Sequence, residues 1–134
     1  MGVRREGREL ALTYLYQLDL GVERFEDIGR AIESDRTASE RVRRFALDRV
    51  SGVWNHREAV DALISEHLHR WKLDRLARTD RAILRLAVFE MRFDPEVPAK
   101  VALNEALEIG RKYGGEESCR FLNGVLDAVL HQIP

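Results

Sequence analysis

Residues 97–130 read VPAKVALNEALEIGRKYGGEESCRFLNGVLDAVL, and the reading of this stretch decides the fold. Pro98 has no backbone N–H to donate and suits the first turn of a helix. From there Ala102, Leu103, Ala106, Leu107, Ile109 and Tyr113 recur at helical spacing and form one broad apolar face. Gly114 and Gly115 then stop the helix, because glycine takes the left-handed cap geometry without steric cost. Beyond them Phe121, Leu122, Val125, Leu126, Val129, Leu130 and Ile133 make a second apolar stripe. The spacing predicts two helices closed into an antiparallel hairpin around a core.

Outward from the hairpin, the same periodicity recurs and strand-like alternation is absent. It predicts helices at about 4–20, 24–34, 38–54, 57–69, 79–93, 98–113 and 116–131. The fold class is therefore all-α: about seven helices in two packed subdomains, approximately 1–70 and 71–134, of a single domain. TDRAILRLAVFEMRF at 79–93 is apolar on nearly every face, which predicts the central helix of a bundle. Arg81, Arg85 and Arg92 share one strip of it and read as a seam paired with carboxylates of neighbouring helices. Thr37 followed by Glu40 reads as a capping box. Mid-helix Asn104 and Asn123 read as hydrogen bonds between helices, since asparagine is a poor helix former.

The chain has 134 residues, 45% hydrophobic and 34% charged, with a net charge of −1. That balance excludes a disordered chain or one that coats nucleic acid through overall charge, so any nucleic-acid contact needs a local basic patch. One cysteine, Cys119, excludes an internal disulfide and fits a reducing, cytoplasmic compartment. No apolar run approaches the roughly 20 residues that span a bilayer, so no membrane is expected. Gly114-Gly115 lacks the lysine-serine pair and preceding strand of a phosphate loop. His67 and His69 fall on different helix faces, and His56, His131 and Cys119 have no partner at ligand spacing. No metal, no cofactor and no catalytic site are expected, and the chain reads as not an enzyme.

The informative residues are then those that a core does not explain. In the first helix Gly7, Leu10, Ala11, Tyr14, Leu15 and Leu18 form the core face. Opposite lie Arg5, Glu9, Leu12 and Tyr16, with Arg8 at the edge. Arginines beside an exposed aromatic suit single-stranded nucleic acid, where a ring can stack a base. Leu12 and Tyr16 packing against another helix of the same fold is the competing reading. In the last helix Gly124 lies in the middle of a polar face made by Glu117, Arg120, Asp127 and His131. Glycine there costs roughly 1 kcal/mol relative to alanine, which makes sense if another backbone approaches closely.

WKLDRLARTDRAILRLAVFEM, followed by the opening stretch, resembles the C-terminal half of the NusB family of bacterial transcription antitermination factors. RRxxRELALTYLYQLDL resembles the family's first helix. The resemblance implies an all-helical, non-catalytic protein that pairs with NusE, a small-subunit ribosomal protein. It implies that the pair binds boxA of nascent ribosomal RNA and joins the elongating RNA polymerase with other Nus factors. By the same resemblance Arg4, Arg5, Arg8 and Tyr16 are expected at RNA, Asp80 and Glu117 near the partner, and Arg120 and Phe121 at the boundary of the two. Arg120 is assigned to RNA and Phe121 to the partner; Leu12 and Gly124 are added to the partner set from their outward positions on the helices. Glu6 and Gly7 depart from the family's arginine run, so the lone protein is expected to bind RNA weakly. The alternative is a protein-docking or self-associating adaptor in ribosomal RNA maturation, without direct RNA binding; on either reading a homodimer is one state open to the protein alone.

Overall fold

A computed structural model describes residues 2–133, and among these six α-helices and one 3-10 turn account for the regular structure. The chain divides into two compact units, one ending at Asn55 and the other beginning at His56.

The first unit comprises α1 (Val3–Leu20), α2 (Phe25–Glu33) and α3 (Glu40–Asn55). Ala11, Tyr14, Leu15 and Leu18 of α1 are buried with Val42, Ala46, Val50 and Val53 of α3. Each aliphatic side chain so removed from water contributes roughly 1.5–3 kcal/mol. Ile28 and Ile32 bring α2 into the same core, the Tyr14 hydroxyl donates to the Ala31 carbonyl at 3.3 Å, and Phe25 stacks on Trp54 at 5.6 Å. The chain leaves α1 through Gly21, whose φ of 77° is the left-handed cap that glycine favours.

The second unit holds α4 (Arg57–Ser65), the 3-10 turn Leu73–Arg75, α5 (Arg78–Phe93) and α6 (Ala99–Gln132). As its composition predicts, α5 is buried nearly all round, from Arg81 to Met91 with Arg85 half-exposed. The predicted hairpin spans α6 and is broken at Gly115, whose φ of 76° and ψ of −168° are non-helical. The break folds α6 back on itself. A straight helix would separate Gly110 from Leu122 by about 18 Å, yet a Cβ on Gly110 would collide with the Leu122 side chain. Arg111 clamps the bend, with Nε on Glu116 at 2.8 Å and Nη2 on the buried Cys119 Sγ at 3.2 Å.

Four expectations change. The unit boundary lies near residue 55 rather than 70, because α4 packs on α5 with Val60 and Ile64 fully buried. There Arg85 grips Asp61 through two bonds of 2.8 and 3.0 Å, so this arginine of the seam is paired as expected. Arg81 is buried and donates to the Leu73 carbonyl at 3.0 Å. The predicted helix 57–69 stops at Ser65, where i→i−3 turns take over and the His67 ring meets Gln132 of α6. Ser39, not Thr37, caps α3: its hydroxyl accepts from the Val42 N–H at 3.2 Å. Thr37 instead donates its N–H and hydroxyl to Asp35, and these bonds hold that carboxyl below its usual range. Asn104 and Asn123 are exposed and form no side-chain hydrogen bond among the described residues.

Candidate functional site

In the first unit, α1 presents Arg4 and Tyr16 to solvent, with Arg5 and Leu12 half-buried. Tyr16 is 38% exposed, so the ring is available as a stacking surface rather than spent on the core of its own unit. Leu20 continues the Leu12–Tyr16 row at the next i+4 position and is 41% exposed. The spacing alone could have added it to the outward face.

Arg8 does not join that face. It is 3% exposed, and its guanidinium lies 5.6 Å from the Phe45 ring centre, with Arg49 over the same ring at 4.2 Å. Arg49 also reaches the Asp48 carboxylate at 2.6 Å. A buried guanidinium over an aromatic face is held by cation–π attraction and packing of its stem. On the helical wheel Arg8 lies only about 20° from the core residue Leu15, so the third helix could claim it. The expectation of an RNA contact at Arg8 is therefore corrected: it helps anchor the start of α1, leaving Arg4 and Arg5 as the arginines toward solvent.

In the second unit, residues far apart in sequence converge. Asp80 from the first turn of α5, and Glu117 and Phe121 from the returning arm of α6, line a hollow of about 330 Å³ with Trp71, Arg75 and Ser118. A second hollow of about 410 Å³ holds Arg120, Phe121 and Gly124. Trp71 and Phe121 border both. All five second-unit residues expected at RNA or partner thus lie around two adjoining depressions. Trp71, 60% exposed and flanked by Arg70 and Lys72, is the residue that sequence reading missed. Its signal was present as a tryptophan between two cations in a segment outside the predicted helices.

Gly124 is exposed, and a Cβ built there meets nothing within 4 Å. No neighbour within the chain requires glycine at that point. Gly114 differs, because a Cβ there would collide with Ser118 and would lie 3.9 Å from Asp80 Oδ1. Glycine at 114 thus lets the Ser118 hydroxyl reach the Asp80 carboxylate.

Burial pushes the Asp80 carboxyl above its usual range, and the hydrogen bond from Ser118 only partly opposes this. A partly desolvated carboxylate lining a depression suits an external cation or hydrogen-bond donor. Because the folded state favours the protonated form, the ionised carboxylate weakens the fold at neutral pH. That penalty fades as pH falls through the raised value and is gone below the ordinary carboxylate value. Asp80→Asn is therefore expected to raise the urea midpoint modestly at pH 7, with the gain shrinking toward pH 3. A lower midpoint at pH 7 would mean that the Ser118 bond outweighs desolvation.

Among the described residues no group of three or more His, Cys, Asp or Glu side chains is arranged to hold a metal ion. No described helix is long and apolar enough to cross a membrane.

Comparison with known proteins gives a consistent result. The family profile described as "NusB family" matches residues 5–131. Transcription antitermination protein NusB of Myxococcus xanthus is 45% identical over 133 residues, covering 96% of this chain and 95% of that protein. T. maritima NusB aligns in structure with a TM-score of 0.84 and 34% identity, over 98% of this chain and 93% of that one. A chain from the crystal structure of antitermination factors NusB and NusE in complex with dsRNA aligns with a TM-score of 0.85 and 28% identity. That alignment covers 98% of both chains.

Proposed function

The chain belongs to the NusB family, and on that premise we propose that it is the RNA-binding half of a NusB–NusE heterodimer. The pair engages the boxA element of nascent ribosomal RNA and keeps the elongating polymerase complex, with its other Nus factors, from stopping early. As a member of a family named for transcription antitermination, the chain is not an enzyme. The observation that carries the proposal is the gathering of Asp80, Glu117, Arg120, Phe121 and Gly124 around two adjoining hollows. The hollow holding Asp80 and Glu117 offers two carboxylates beside aromatic walls, which suits a basic protein surface. The α1 face offers Arg4, Arg5 and Tyr16, which suits RNA. The similar structure that contains both NusE and dsRNA supports this pairing.

With Arg8 buried, the electrostatic part of RNA binding through α1 rests on two arginines, partly offset by Glu6. Each phosphate neutralised on a single strand contributes about 0.7 to the salt slope, so these two contribute about 1.4. Affinity then comes mainly through the heterodimer, in which joined contacts raise the effective concentration of the second. The same weak basic patch favours the second reading, a protein-docking adaptor without direct RNA contact.

A fluorescent boxA RNA titrated with and without NusE, at low and moderate salt, separates the two. The expected result is tighter, salt-sensitive binding with NusE present. The double substitution Arg4→Ala, Arg5→Ala is expected to reduce the salt slope by about 1.4. RNA that binds no better than a scrambled control under all conditions would leave only the docking reading.

A further inference from the structure

We propose that the hollow between Trp71 and Gly124 is a nucleotide subsite, which seats a splayed base of single-stranded RNA and its phosphate. The inference rests on the RNA-binding reading above and extends it to a hollow of the second unit.

The lining chemistry is one-sided. Trp71 and Phe121 supply aromatic walls, Arg70 and Arg120 are the cations, and His67 and His69 stand beside them; no carboxylate lines the hollow. Neither Arg70 nor Arg120 forms an ion pair or side-chain hydrogen bond among the described residues, and both are exposed. The neighbouring hollow differs in kind, since it contains Asp80 and Glu117. An acidic peptide or an RNA phosphate would both satisfy the cations, but a flat aromatic ligand also uses the two ring walls. At about 410 Å³ the hollow falls within the range of small-ligand sites, about 300–1,000 Å³.

Gly124 adds an independent reason. Mid-helix glycine weakens a helix relative to alanine, and here no neighbour among the described residues crowds the space that a Cβ would take. The open backbone lines the hollow, where a planar group can approach closely. The aliphatic side chains of Leu68, Val125 and Ala128 complete an apolar bed. A base can stack against Trp71 while its phosphate meets Arg70 or Arg120, a combination that is tolerant of sequence.

The chain holds two tryptophans, and Trp54 lies in the first unit stacked on Phe25. In a Trp54→Phe background, Trp71 is therefore the sole reporter. Single-stranded RNA containing boxA is titrated into this full-length variant, with and without NusE, while Trp71 fluorescence and RNA anisotropy are followed together. The expected result is quenching of Trp71 that tracks RNA binding, and about tenfold weaker binding for Trp71→Leu. Arg70→Ala, at an exposed side chain, is expected to lower the salt slope by about 0.7 and carries the test if Trp71→Leu does not fold.

RNA binding without quenching, and undiminished in both variants, would overturn the subsite and leave the heterodimer proposal standing. No RNA binding under any condition would overturn both. Quenching by NusE alone, with Trp71→Leu losing NusE, would assign the hollow to the protein partner and overturn the nucleotide assignment.

Discussion

Gly115→Ala is expected to destabilise the isolated protein by about 2 kcal/mol and to abolish docking of the protein partner. At φ 76° and ψ −168° the backbone is in a region that is essentially reserved for glycine. A Cβ there is strained whatever space surrounds it, and among the described residues no side chain or backbone beyond the adjoining chain crowds it instead. The alternative open to the variant is worse for function. Alanine favours uninterrupted helix, and straightening would turn the 34 residues of α6 into a rod of about 51 Å. The Gly110–Leu122 approach and the Arg111 clamp across the bend would both be lost. Phe121 and Glu117 would leave the hollow they share with Asp80. Urea denaturation followed by circular dichroism measures the first effect, and capture of NusE the second. Gly124→Ala serves as the control, since the same chemical change in open, helical backbone is expected to stabilise by up to about 1 kcal/mol. A Gly115 variant with an unchanged midpoint would show that the bend does not depend on glycine.

Gly7→Ala is the second large effect, and its sign runs against helix propensity. Alanine inside α1 gains about 1 kcal/mol over glycine. Gly7, however, is buried beneath Phe45: an added Cβ would overlap the edge of the ring and sit 3.1 Å from Phe45 Cβ. Overpacking of this kind costs about 1–3 kcal/mol. Because the contact includes the base of the side chain, rotation of the ring does not relieve it. The net expectation is a loss of about 1 kcal/mol, the overpacking cost less the propensity gain. Pairing it with Phe45→Leu tests the cause, because residues in contact are non-additive and the double variant should recover part of the loss. Additive losses would place the strain elsewhere. Displacing Phe45 also disturbs the rings' hold on Arg8 and Arg49, which lie 5.6 and 4.2 Å from its centre. The start of α1 would then loosen, and RNA affinity through Arg4 and Arg5 would fall with it.

These two glycines mark how far sequence reasoning reached. Gly115 was legible, since two adjacent glycines between apolar stripes signal a helix stop and little else. Gly7 read as part of the core face of the first helix, but only the fold shows that it makes room for a ring from α3. The wheel of α1 placed Tyr16 and Leu12 outward, but it put Arg8 on an edge that either core or solvent could take. Thr37 matched a capping pattern, and Ser39, two residues on, performs the capping. In each case the local pattern was real and a neighbour closer in space decided among its readings.

The sequence by itself determined the all-α class, the central position of α5, the fold-back in α6 and, through family motifs, the residues now found around the two hollows. These follow from periodicity and from glycine and proline stereochemistry, which act over a few residues and are written locally. Only the tertiary structure decided that Arg8 is buried, that α4 packs with the second unit, and that Trp71 stands between an acidic hollow and a basic one. Those outcomes depend on which side chain from a distant segment fills a given direction around a helix. Periodicity fixes the direction but not the occupant.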